Sequence, residues 1–287
     1  LGSIVVNAGS IENRGLEISL GGDIISTDDF TWDSSVNWSN NESIVISLGE
    51  GGSDIFGPNI SANIVSFPPT ILREGEPFGV FWGMKAIGLY PLGDDKEGQL
   101  QNEDINGDGS VNANDKEIIG NPNPDYIFGW NNSFTYKRLS LSAFIQGSIG
   151  NDIMNIDRIF IQGGITGNAG NHTQEYFEKR WTPENPHNDM NFPAGRSGEP
   201  DSSLIEDGSY VRLKNVSLSY NFNPEIFNNH IDSFRLYVTG TNLYTITDYT
   251  GVDPEVNVFG GSNINRGVDF SAYPKSKQIL LGLNIGF

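Results

Sequence analysis

The stretch "SKQILLGLNIGF", Ser276–Phe287, decides how the chain is read. Ile279, Leu281, Leu283, Ile285 and Phe287 occupy every second position; Gln278, Leu280, Gly282, Asn284 and Gly286 occupy the alternate set. A repeat of two is the signature of a β-strand, whose side chains leave opposite faces in turn. A sandwich strand with one buried face has the same period. Length favours a membrane barrel, whose tilted strands cross the bilayer in roughly 9–11 residues.

Working back from this strand, "VRLKNVSLSYNF" alternates Val216, Leu218, Tyr220 and Phe222 with Asn215, Ser217, Ser219 and Asn221. "FRLYVTGTNLY" sets Phe234, Leu236 and Val238 on one side. In "LSLSAFIQGS", Leu139, Leu141, Ala143 and Ile145 oppose Ser140, Ser142, Gln146 and Ser148. Small polar residues facing apolar ones suit a wet lumen against lipid; a water-facing sheet would carry more Lys and Glu. The fold class expected is therefore all-β, a transmembrane antiparallel β-barrel. About eight strands are expected, at 1–8, 14–25, 29–48, 125–137, 139–149, 208–222, 233–245 and 276–287. Short connections near 26–29, 137–138 and 223–232 alternate with long ones over 49–124, 150–207 and 246–275. That asymmetry matches periplasmic turns and extracellular loops. It requires "FGVFWGMKAIGLY", 78–90, to lie inside the first long loop rather than in the wall.

Composition agrees. The 287 residues include 35 Gly, no Cys and 11% aromatics, so strands and loops are favoured and thiolate sites are excluded. A net charge of −19 makes nucleic acid a poor partner and divalent cations or neutral ligands better ones. The chain starts without Met or a leader, as if already within a strand, and reads as the C-terminal part of a longer protein.

Eight stretches, in order, carry a resemblance: "GSIENRGLEISL" (9–20), "FTWDSSVNWSNNESIV" (30–45), "PFGVFWGMKAIGLY" (77–90), "DINGDGSVNANDKEIIGNPNPDYIFGWNNSFTYK" (104–137), "RWTPENP" (180–186), "IEDGSYVRLKNVSLSYNF" (205–222), "TGTNLYTITDYTGVDPEV" (239–256) and "YPKSKQILLGLNIGF" (273–287). Together they resemble the C-terminal half of the SusC-like (SusC/RagA) TonB-dependent outer-membrane transporters of Bacteroidetes. The resemblance implies the tail of a 22-stranded barrel, with plug and earlier strands outside this sequence. It implies import of large nutrients, oligosaccharides or peptides, through the bacterial outer membrane. The implied partners are a SusD-like lipoprotein lid, TonB acting through the absent N-terminal part, the barrel-assembly machinery and outer-membrane lipid. Phe287 resembles the terminal insertion signal of such barrels. A self-contained eight-stranded barrel with a structural or adhesive role, and a secreted calcium-binding, glycan-degrading enzyme, are the alternatives.

Within the first long loop, Asp104, Asn106, Asp108, the Ser110 carbonyl, Asn112 and Asp115 fall at positions 1, 3, 5, 7, 9 and 12 of an EF-hand-type loop, with Gly109 at position 6. Calcium, or magnesium, is the expected ion. The flanks offer at most one helical turn, at 114–119, so the loop would be a staple rather than a sensor. An acidic Asn/Gly turn without an ion has the same composition. His172, His187 and His230 are scattered and no catalytic motif appears, so no enzyme is expected. Trp82, Tyr90, Trp181 and Tyr249 are the substrate-binding candidates, in loops that also hold Phe160, Tyr176, Phe177 and Phe259; packing of the loops is the competing role. Trp130, Phe134, Tyr136, Tyr210, Tyr220 and Tyr273 are expected in interfacial girdles.

Overall fold

The computed structural model describes residues 9–62, 65–163, 171–227, 230–256 and 262–287. The strand expected over 1–8 lies outside these residues. The other seven form one antiparallel sheet in chain order: β1 (Ser10–Ser26), β2 (Phe30–Ser47), β3 (Tyr126–Tyr136), β4 (Leu139–Ile149), β5 (Tyr210–Asn221), β6 (Ser233–Thr247) and β7 (Gln278–Gly286). Among the described residues each strand pairs with its chain neighbour, and β1 and β7, the two edges, do not pair with each other.

Register keeps the apolar sets together from edge to edge. Leu20 faces Val36, Val36 faces Trp130, Trp130 faces Ile145; Leu141 faces Leu218, Leu218 faces Val238, and Val238 faces Leu281. The same register lines up Ser142 with Ser217 and Ser217 with Thr239 on the other face. A slip of one residue anywhere would exchange the two faces. The apolar face is open: Leu20 is 65% exposed and Leu281 71%. β3 and β4 meet in a two-residue turn whose Lys137 takes φ of 54°, and a second turn closes where the Thr27 N–H reaches the Phe30 carbonyl.

The long connections are not structureless. Between β2 and β3 the chain makes eight short strands, and 80–84 and 86–89 lie in small sheets of their own, outside the wall. Strand 80–84 sits between 116–120 and 70–72, and 55–56 completes that sheet. The second and third connections meet in another small sheet, where Met154 pairs in parallel with Val268 and antiparallel to Ile205. One apolar core gathers all three: Ile60, Phe67 and Phe81 from the first, Met154, Ile156, Ile159 and Leu204 from the second, and Val268 from the third. The loops thus form one packed body. Among the described residues, no helix is long and apolar enough to cross a membrane.

Candidate functional site

The face of the wall opposite the apolar one is lined by hydroxyls and amides. Ser19 donates to Asn37 Oδ1 at 2.8 Å, Thr135 and Ser140 lie 3.2 Å apart, and Ser217 and Thr239 3.0 Å. Two hollows of about 550 and 530 Å³ lie along it, the first beside Asp23, Asp33, Asn131 and Ser142, the second beside Glu17, Asn37 and Gln146. Phe144 borders both, a large apolar side chain on this face.

The third loop is clamped to this face through a cationic strand. A bulge opposite Phe144–Ile145 interrupts β5 between Leu213 and Asn215. Arg212 Nη2 donates to Asp253 Oδ1 at 2.6 Å and Nη1 to Glu255 Oε2 at 2.5 Å; Lys214 and Lys275 reach Glu255 at 2.8 and 2.9 Å. The Tyr210 hydroxyl donates to Glu255 Oε1 at 3.1 Å. Burial opposes ionisation of Glu255, but Lys214, Lys275 and Arg212 hold its carboxyl down at about 2. The resemblance drew attention to "TGVDPEV" without assigning Glu255 a role. Charged Arg212 and Lys214 within a strand whose next inward residues are Asn and Ser were the available signal.

The cation-type loop folds upon itself. Asp104 accepts the N–H groups of Gly107, Asp108 and Gly109, Asn106 that of Asp108, and Asp108 that of Ser110, a run of Asx turns; Gly109 takes φ of 86°. Asn112 caps a 3₁₀ turn over Ala113–Asp115. The helical turn expected at 114–119 ends there, because 116–120 pairs as a strand with 80–84. Asp115 is fully buried; Oδ2 accepts the Asn112 N–H at 2.8 Å and Oδ1 those of Ile105 and Asn106. These bonds, foremost that of Asn112, hold its carboxyl below the usual range. Among the described residues, no three His, Cys, Asp or Glu side chains gather as a metal would require.

Two of the four aromatic candidates are packing residues. Trp181 is 4% exposed, against Ala86, Leu89 and Leu100, and an added Cβ on Gly98 would touch its ring. Tyr249 is 5% exposed and donates to Asp269 Oδ2 at 2.6 Å; burial and that carboxylate push its hydroxyl pKa up. Neither offers a free ring face. Trp82 is half-buried beneath the Arg73 guanidinium at 4.5 Å, and Tyr90 lies beside Lys96, whose Nζ is 5.6 Å from the ring centre. Tyr176 is buried with its hydroxyl on the Pro193 carbonyl, Phe160 packs on Phe270, and Phe177 stays exposed. Phe259 lies outside the described residues. On the wall, Trp130 and Trp32 face outward with their indole N–H groups donating to Ser34 and Asn132. Phe134 stacks on Trp32, and Tyr136 and Tyr220 are exposed. Tyr210, expected in a girdle, is instead buried against Glu255. Tyr273 and Phe287 are 93% and 87% exposed.

No protein-family model matches the chain. It is 36% identical to TonB-dependent receptor P3 of Formosa agariphila over 99% of its own length and 27% identical to TonB-dependent receptor SusC of Bacteroides thetaiotaomicron over 98%. Among solved structures it matches the RagAB peptide transporter with a TM-score of 0.76 at 27% identity, over 98% of this chain and 30% of that one. The chain spans 30% of P3 and 27% of SusC.

Proposed function

We propose, from the premise that the chain belongs to the SusC-like TonB-dependent receptors, that it forms one section of the wall and mouth of an outer-membrane nutrient importer. The observation that carries this reading is the largely apolar face from Leu16 on β1 to Ile285 on β7, solvent-exposed and backed by a Ser/Asn-rich face. Lipid covers the first face and a water-filled passage the second. β1 and β7 are edges, and backbone groups at a membrane edge must be paired. In this reading further strands of the same barrel complete them.

In this reading the packed loops form the outer mouth, where a SusD-like lipoprotein closes as a lid. TonB acts through a plug that this segment does not contain. The cargo is a large nutrient, oligosaccharide or peptide, and the segment contributes passage and recognition, not bond-breaking chemistry. Trp82 and Tyr90 are its aromatic contacts in the loops. Phe287 serves as the recognition end for insertion by the barrel-assembly machinery. The protein should fractionate with outer membranes, migrate faster unheated than boiled, and co-purify with a surface lipoprotein. Recovery from the soluble fraction would overturn the reading.

The Asp104–Asp115 loop is, in the same proposal, a calcium staple. The Asx turns of Asp104, Asn106 and Asp108 and the left-handed Gly109 support it. On ion entry the Asp115 carboxylate would exchange backbone donors for the cation. Calcium should protect 104–115 from proteolysis in the wild type but not in Asp108→Ala; equal protection with calcium and with chelator would sink the staple.

A further inference from the structure

The chain contains one Asn-Gly pair, Asn106–Gly107, and both residues are exposed in the cation-type loop. An asparagine amide is lost when the backbone nitrogen of the following residue attacks its Cγ. Most residues shield that nitrogen with their own Cβ; glycine does not. The surroundings of Gly107 are open as well: a Cβ built there meets no atom within 4 Å, and φ is 71°.

The hydrogen bonds of the loop fall on the atoms that react. The Gly107 N–H donates to Asp104 Oδ1 at 2.8 Å, so a carboxylate sits on the proton that must leave before the nitrogen attacks. The Asp108 N–H donates to Asn106 Oδ1 at 2.8 Å, with a longer contact of 3.2 Å to Asp104 Oδ1. It points at the oxygen on which negative charge develops as Cγ becomes tetrahedral. The Asn106 backbone is fixed from behind, its N–H donating to Asp115 Oδ1 at 3.2 Å. Among the described residues no acceptor holds Asn106 Nδ2, the leaving group.

Other asparagines nearby lack this set. Asn112 makes the same kind of turn, with the Asn114 N–H on its Oδ1 at 3.0 Å, but its Nδ2 is tied to the Ser110 carbonyl at 2.8 Å. Its neighbour is Ala113, whose N–H meets no carboxylate among the described residues. Asn121 and Asn123 precede Pro122 and Pro124, which have no N–H to lose.

We infer that Asn106–Gly107 is a self-modification site, at which Asp104 takes the proton of the Gly107 amide and the chain deamidates itself. The bond from Gly107 N to Asn106 Cγ forms, the Cγ–Nδ2 bond breaks, and Nδ2 leaves as ammonia with the proton passed on by Asp104. Water then opens the cyclic imide. Breaking the new Cγ–N bond gives an aspartyl residue; breaking the original backbone C–N bond gives an isoaspartyl link. Nothing is oxidised or reduced. Either product adds a negative charge, and the isoaspartyl link also inserts one carbon into the main chain, which moves Asp108 and Gly109 out of the turns anchored on Asp104. The inference rests on the loop alone and holds whether or not the loop takes a cation.

The test ages the whole protein in detergent at neutral pH, with a chelator present so that no ion alters the result. A free peptide of residues 97–116 is aged beside it. In heavy-oxygen water, mass spectrometry should find the label in a new carboxyl at position 106, as aspartyl and isoaspartyl products. Conversion there should be about tenfold or more faster than at Asn112, and several-fold faster than in the peptide. Asp104→Asn, which keeps the shape of the side chain and removes the base, should bring the protein down to the rate of the peptide while its near-ultraviolet circular dichroism is kept. A wild-type protein that converts no faster than the peptide would overturn the inference, and that comparison needs no variant. An Asp104→Asn protein that converts as fast as the wild type would overturn it too.

Discussion

The wall and the loop body place their apolar side chains in opposite ways. In the wall, Ile279 is 80% exposed and Leu281 71%, while the face behind them is mostly polar, with Thr239, Thr241, Gln278 and Asn284. In the loop body, Phe81, Met154 and Leu204 are wholly buried. The wall has order without a core: its strands are held by continuous backbone pairing, and its apolar surface is stable only against hydrocarbon. The loop body follows the rules of a water-soluble domain, with burial as its main support. One chain therefore contains two solvents' worth of design, and the strand ends mark where one gives way to the other.

The comparison can be broken most sharply inside the core. Phe81→Ala should cost the loop body about 3–5 kcal/mol. Hydrogen exchange should then speed up across 55–120, 152–161 and 202–207 while β1–β7 stay protected; simultaneous loss of the wall would show that the two regions are one cooperative unit. On the other side, Leu281→Arg should cost the wall about 2–4 kcal/mol in lipid and lower the folded, heat-modifiable fraction, with little effect on the loop core. Leu281→Phe should be tolerated. An arginine variant as abundant as the wild type would remove lipid from that face.

The smallest expected effect concerns the join between the regions. Glu255 has its carboxyl lowered from 4.5 to about 2 by Lys214, Lys275 and Arg212. The sign follows: the clamp is fully present above the unfolded carboxyl value near 4.5 and is lost as pH falls towards about 2, at most about 3 kcal/mol. Exchange or proteolysis at 248–256 should rise over that window, and Glu255→Gln should flatten the profile. A wild-type profile flat to pH 2 would place the join elsewhere.

These differences also explain what could be read in the sequence. The wall was legible because a period of two survives only where both faces have fixed solvents: β4 and β7 alternate but for Phe144 and Leu280, and their ends fall within a residue or two of expectation. The loop body was not, because its strands are two to five residues long and its core draws single residues from distant segments. Trp181 and Tyr249 looked like ligand platforms for that reason; nothing local says that Leu100 covers one and Asp269 engages the other. The Asp104–Asp115 spacing was plain, but the use of both Asp115 oxygens by the backbone was not. The Arg212–Glu255 pair was hidden by a separation of 43 residues.

The parallel contact of Met154 with Val268 sets an order in time. Each hairpin of the wall needs only its own two strands, and closes over turns as short as Lys137–Arg138. The loop body, by contrast, needs Ile60 and Val268 in the same core, so synthesis must run past Val268 before its first buried residue finds its last neighbour. Until then the early loop waits with its apolar residues uncovered, the slow and exposed interval that contacts distant in sequence impose.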